Sequence, residues 1–136
     1  MSNNRNTGPF NLAQSPIHLG AVTSAVQHDF GFDGPAFGAY VAAHCTQDDG
    51  SRLVMIEESP TDWDSWECHE SADELVIVLA GTGTFITQFP DGAMQTPFKT
   101  GDTFINPKGI WHTANVESPL RAIYLTPCLG TQHKPR

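Results

Sequence analysis

From about residue 36 onward, apolar residues come in short runs separated at nearly regular intervals by turn-forming residues. Residues 36–45, rich in small apolar and aromatic side chains, read as a strand. Residues 52–57 read as another, ending at Ser59-Pro60, and a further one starts within residues 66–69. The runs at 75–79, 84–89, 103–105 and 120–126 are rich in Val, Ile, Thr, Phe or Tyr, the residues that fit a pleated, half-buried surface. Turn signals stand at Asp48-Asp49-Gly50-Ser51, Gly81-Thr82-Gly83, Pro90-Asp91-Gly92, Thr100-Gly101-Asp102, Pro107-Lys108-Gly109 and Ser118-Pro119. A spacing of roughly eight to twelve residues is that of an all-β sandwich or barrel. Pro90-Asp91-Gly92 predicts a hairpin, because proline presets φ at one corner and glycine accepts a positive φ at the other.

One local signal points the other way. Ser71-Ala72-Asp73-Glu74 ahead of an apolar run matches a helix capping box. The run stops at Gly81 and holds β-branched residues at 76, 77 and 78, so a strand entered from a short loop is predicted instead. No stretch of ten residues carries a clean helical stripe, and little helix is expected. Ahead of these elements, residues 1–16 are polar and read as an arm. Residues around Ile17–Val26 read as an irregular first strand, and residues 30–35 as a loop with two aromatics, Phe30 and Phe32. Residues 127–136 read as a polar C-terminal tail.

Length and composition narrow the class. At 136 residues, 39% apolar and 16% charged, the chain is one domain's worth and can bury a core without metal clips or disulfides. The net charge of −8 comes with only seven basic residues, which form no cluster, so neither nucleic acid nor an anionic membrane surface is expected as a partner. Cys45, Cys68 and Cys128 are odd in number, widely spaced and without a CxxC pair. No disulfide framework is expected, which suits a reducing compartment. The first residues lack the apolar core of a signal peptide, and no run approaches a membrane span. The expectation is a soluble cytoplasmic protein.

Two stretches carry candidate chemistry. Residues two apart on a strand share a face, so Glu67 and His69 point together while Trp66 and Cys68 point away. Glu74, Val76 and Val78 share one face of the following strand. A hairpin joining these strands aims Glu67, His69 and Glu74 into one cavity, and His112 on a later strand supplies a fourth donor. Carboxylates and imidazoles on a rigid scaffold suit Mn, Fe(II), Ni or Zn. His18, His28 and His44 have no partner at ligand spacing, and His133 falls in the tail; these are read as structural or solvated.

These stretches resemble the paired motifs of the cupin superfamily. The usual first motif is G-x5-H-x-H-x(3,4)-E-x6-G; here Glu67-x-His69 is followed by four residues to Glu74 and six to Gly81. Thr61 stands where the leading glycine would be, and Glu67 replaces the first histidine. The usual second motif is G-x5-P-x-G-x2-H-x3-N; Gly101, Pro107, Gly109 and His112 are in register, with Asn115 one residue early. The blocks around Trp66–His69 and Trp111-His112, with the closing Leu129–Arg136, resemble short single-domain bacterial cupins. The resemblance implies a double-stranded β-helix, or jelly-roll barrel, over residues 1–136, and a homodimer. It also implies one divalent transition metal (Zn, Mn, Fe or Ni) on Glu67, His69, Glu74 and His112. The exchange of Glu for His leaves two options: a two-His, two-carboxylate site, or a three-ligand site with Glu67 as a base. The expected function is a metal-dependent enzyme on a small organic substrate, of oxygenase, isomerase or lyase type, with Glu67 or Glu74 moving a proton. The alternatives are a non-catalytic module that binds or senses a small metabolite, and a metal-free epimerase-like cupin using His112 as base.

Overall fold

A computed structural model describes residues 13–20, 24–28 and 34–136. Residues 1–12 of the expected arm at 1–16, and residues 30–33 of the aromatic loop at 30–35, lie outside the described residues. The order of elements is β1 (Ile17–Leu19), β2 (Ala25–Gln27), α1 (Gly34–His44), β3 (Arg52–Ser59), β4 (Ser65–His69), β5 (Glu74–Phe89), β6 (Gly92–Phe98), β7 (Thr103–Asn106), β8 (Trp111–Pro127) and β9 (Thr131–Pro135). This is the expected all-β jelly-roll barrel, built from one curled antiparallel sheet.

The long strand β8 is its spine. Its second half lies between β3, from Arg52↔Pro127 to Ser59↔Leu120, and the start of β5, from Leu75↔Leu125. Its first half lies between the end of β5, to Gln88↔Trp111, and β4, at Glu67↔His112. The Pro90-Asp91 hairpin joins β5 to β6 with Phe89 opposite Gly92, as its residues predict. The inner face of β5 holds Glu74, Val76 and Val78, all essentially without solvent contact. Val76 and Val78 join Leu120, Ala122 and Tyr124 of β8 in the core, with Phe85 stacked on Phe98 and Phe104. That burial removes enough apolar surface to fix the register, since a slip by one residue would turn the whole face outward.

Four expectations are corrected. The expected strand at 36–45 is instead helix α1 up to His44: four alanines (Ala36, Ala39, Ala42, Ala43) are strong helix formers, and Pro35 sits in the first turn, where its missing N–H costs nothing. It is the one helix among the described residues. Gly81-Thr82-Gly83 and Ser118-Pro119 are not turns; they face each other where β5 and β8 shift register and bend together. Gly81 adopts φ +100 there, and a Cβ on it would collide with the Pro119 carbonyl. Residues 131–135 are not a tail but strand β9, paired along β4 from Ser65↔Pro135 to His69↔Thr131. Finally, Cys45 at the end of α1 is bonded to Cys128 at the end of β8, a disulfide spanning 83 residues. The expectation of no disulfide fails, and a reducing compartment loses the support it drew from cysteine spacing. Cys68 is free and buried. No helix among the described residues is long and apolar enough to cross a membrane.

Candidate metal centre

The strand alternation places the expected residues together. Glu67 and His69 share a face of β4, and Glu67 lies directly across the ladder from His112 of β8. Glu74 opens β5, opposite Asn106 of β7. One donor atom from each of Glu67, His69, Glu74 and His112 lies within 4.8 Å of the others. His69, Glu74 and His112 are buried, while Glu67 keeps 22% of its side chain exposed toward a cavity.

The geometry within the group favours convergence on one point over direct pairing. His69 Nε2 lies 2.9 Å from Glu67 Oε1 and 3.1 Å from Glu74 Oε2. His112 Nε2 lies 3.5 Å from Glu67 Oε1 and 3.6 Å from Glu74 Oε1. Yet neither Nε2 makes a hydrogen bond. The closest separations are short enough for one, so the misfit is angular: the ring plane does not aim its nitrogen at an oxygen. Two buried nitrogens left this way would be costly unless a further group accepts their lone pairs. The donor set, two imidazoles and two carboxylates, fits a divalent transition metal.

Supporting contacts hold each donor in place, as outer partners do in metal sites. His69 Nδ1 is 2.9 Å from Thr131 Oγ1; with Nδ1–H donating there, Nε2 is left as the bare lone-pair nitrogen. Glu74 accepts from Asn106 Nδ2 at 3.0 Å and from Thr126 Oγ1 at 2.7 Å, so each of its oxygens has a donor. Glu67 turns Oε1 toward the imidazoles and Oε2 toward His133 Nε2 at 2.7 Å. The turn after β7 closes the frame: the Gly109 N–H donates to the His69 carbonyl at 2.7 Å, with Gly109 at φ +76.

These contacts shift the acids and bases. Burial alone would raise the Glu67 carboxyl, but the imidazoles of His112, His133 and His69 set against it hold it far below the usual carboxylate range. Burial works against a charged His69, and the Glu67 and Glu74 carboxylates outweigh it, pushing that imidazole up to about 9. The contact with Glu67 also raises His133.

Thr131 and His133 were missed by sequence reasoning, as were Asn106 and Thr126. The signal for the first two was present: Thr131 and His133 are two apart, so a strand at the C-terminus would have put both on one face. Arg121 pairs with Glu58 at 3.3 Å, away from the group. His18, His28 and His44 stand outside the metal group and pack on one another and on Tyr40, with His18 Nδ1 2.6 Å from the Tyr40 hydroxyl. The centre opens into a cavity of about 670 Å³ between α1, β3, β8 and β9. Trp63 lines it, whereas Trp111 packs under Lys134 Nζ, 4.2 Å from the ring centre.

The family described as "Cupin domain" matches residues 54–126, more than half of the chain. The chain belongs to the cupin family. Its barrel is similar to that of Bacillus subtilis oxalate decarboxylase, a protein with Mn(II) centres, at 14% identity and TM-score 0.50, covering 62% of this chain and 23% of that one. Hydroxypropylphosphonic acid epoxidase from S. wedmorenis also matches, at 14% identity and TM-score 0.48 over 55% of this cupin and 43% of the epoxidase. A Neisseria meningitidis protein matches at 17% and TM-score 0.46, over 56% of this chain and 74% of the other. The cupin thus spans less than half the length of the epoxidase and about a quarter of the decarboxylase. No curated protein matches it.

Proposed function

We propose that this cupin is a mononuclear metalloprotein whose ion is held by Glu67, His69, Glu74 and His112, and that it acts as an enzyme on a small organic molecule in the adjoining cavity. The observation that carries this is the pair of orphaned, buried Nε2 atoms facing two carboxylates, with all four donors inside 4.8 Å. A divalent ion bound there would supply Lewis acidity toward oxygen-bearing groups of a substrate. Mn(II) or Fe(II) fits this donor set, as do Zn and Ni. The Mn(II) of the similarly folded decarboxylase agrees with the first.

The protein's own residues divide the remaining work. Glu74 is fully engaged by Asn106 and Thr126, which suits a fixed anchor. Glu67 borders the cavity, with one oxygen toward the imidazoles and the other on half-exposed His133. Of the two carboxylates it is therefore the one within reach of a bound molecule, with His133 connecting it to solvent. The surrounding apolar walls keep bulk water from competing for the same groups. A homodimer belongs to the same reading, and a monomeric mass in solution scattering would remove it.

Elemental analysis of tag-free protein tests the metal. Close to one transition metal per chain is expected, lost in both His69→Ala and His112→Ala while circular dichroism stays unchanged. Retention of the metal in both variants would refute the assignment. A protein that holds its metal and binds small molecules without turning any of them over would support a non-catalytic binding cupin instead.

A further inference from the structure

The cavity beside the centre has a charge pattern that the metal does not account for. Leu53, Met55 and Glu57 alternate along the inward face of β3, and Glu57 reaches the cavity as a third carboxylate after Glu67 and Glu74. No Lys or Arg is among the described residues that line it. A divalent ion with two carboxylates is neutral overall and His133 is already engaged by Glu67 Oε2, so Glu57 stands as a separate negative charge on the β3 wall. Among the described residues, the Glu57 side chain has no hydrogen-bond or ion-pair partner, and burial, then Glu67 and Glu74, raise its carboxyl above the ordinary value.

A second, independent feature points the same way. Tyr124 lines the cavity at 3% exposure, and its hydroxyl is buried without a hydrogen-bond partner. A buried hydroxyl left unpaired is costly, and a ligand that hydrogen-bonds it while pairing with the half-buried Glu57 carboxylate would relieve that cost. Phe37, Tyr40 and Trp63 add aromatic faces to the walls, which favours a cation over an anion.

Resting on the reading of this cavity as the ligand site, we propose that it selects a small organic molecule bearing an ammonium group, which pairs with Glu57 and the Tyr124 hydroxyl. It rejects carboxylates of the same shape, because Glu57 would face them across a space of low polarity.

Three probes of one shape test this by calorimetry at pH 7.5: 2-phenylethylamine, 2-phenylethanol and phenylacetate. Zinc-loaded protein is expected to bind the amine at least about tenfold more tightly than phenylacetate. Glu57→Gln, which keeps the side-chain shape, should weaken the amine by about tenfold, leave the alcohol within about twofold, and leave zinc content unchanged. Phenylacetate binding as tightly as the amine, an amine affinity insensitive to Glu57→Gln, or no binding of any probe would each overturn the proposal. Repeating the series on metal-free protein separates it from the metal reading. An amine preference in protein that cannot hold zinc sinks the metal centre alone, and zinc bound without the preference sinks only the ligand class.

Discussion

His69 is where pH acts most strongly on this cupin. An imidazole ordinarily titrates near 6.5, and burial alone would lower that value. Glu67 Oε1 at 2.9 Å and Glu74 Oε2 at 3.1 Å reverse the shift and hold His69 up at about 9. A metal needs the same Nε2, so the proton must leave as the ion binds. Below about pH 9, apparent metal affinity should therefore fall about tenfold per pH unit, or ~2.7 kcal/mol between pH 8 and pH 6. The metal-free protein should show the opposite slope. A group whose folded pKa is raised stabilises the fold fully below its unfolded value and loses that contribution as pH rises through the folded one. Metal-free protein should then lose up to ~3 kcal/mol between pH 6.5 and 9, since each pH unit between the unfolded and folded values is worth about 1.4 kcal/mol. Calorimetric Mn(II) titrations at pH 6, 7 and 8, in buffers differing in ionisation enthalpy, read both the affinity and the protons released. About one proton per ion is expected at pH 7. An affinity that is flat across this range, with no proton released, would refute the reasoning.

Other outcomes follow from single contacts. His133→Ala removes the partner of Glu67 Oε2 and should weaken metal binding by about tenfold without unfolding the protein, while His133→Gln should recover part of the loss; competition with a chromogenic chelator reads both. Gly83→Ala would drive a Cβ into the Asn115 carbonyl and the Phe98 ring at the bend of β5 and β8. It should cost about 2–3 kcal/mol, seen as a fall in Tm on the order of 10 °C. Denatured but unreduced protein should show one reactive thiol, Cys68, and three after reduction. Because the Cys45–Cys128 bond closes a loop of 83 residues, reduction should destabilise the fold by up to about 4 kcal/mol in chemical denaturation.

The site was legible where short-range rules apply. Alternation along β4 put Glu67 and His69 on one face. The frame of Gly101, Pro107 and Gly109 marked His112, and the spacing to Gly81 marked Glu74, through their match to the paired cupin motifs. What was hidden depends on contacts distant in the chain. Thr131, His133 and the rest of β9 are polar and exposed on one side, so nothing local marks a strand that exists by pairing with β4. Cys45 and Cys128 become neighbours only because α1 packs where β8 ends. Residues 36–45 were misread since small apolar residues serve either a buried strand or a helix. There the propensity of four alanines decided the matter. Gly81 and Pro119 signal turns individually, yet opposite each other they let two long strands bend without ending.

Anomalous diffraction from crystals of the manganese-loaded protein tests the central claim most directly. The account predicts one strong peak per chain, bonded to Nε2 of His69 and His112 and to carboxylate oxygens of Glu67 and Glu74 at about 2.0–2.3 Å. Its contradiction would be a clean map with no peak among these four side chains, or with the ion held instead by His18, His28 and His44.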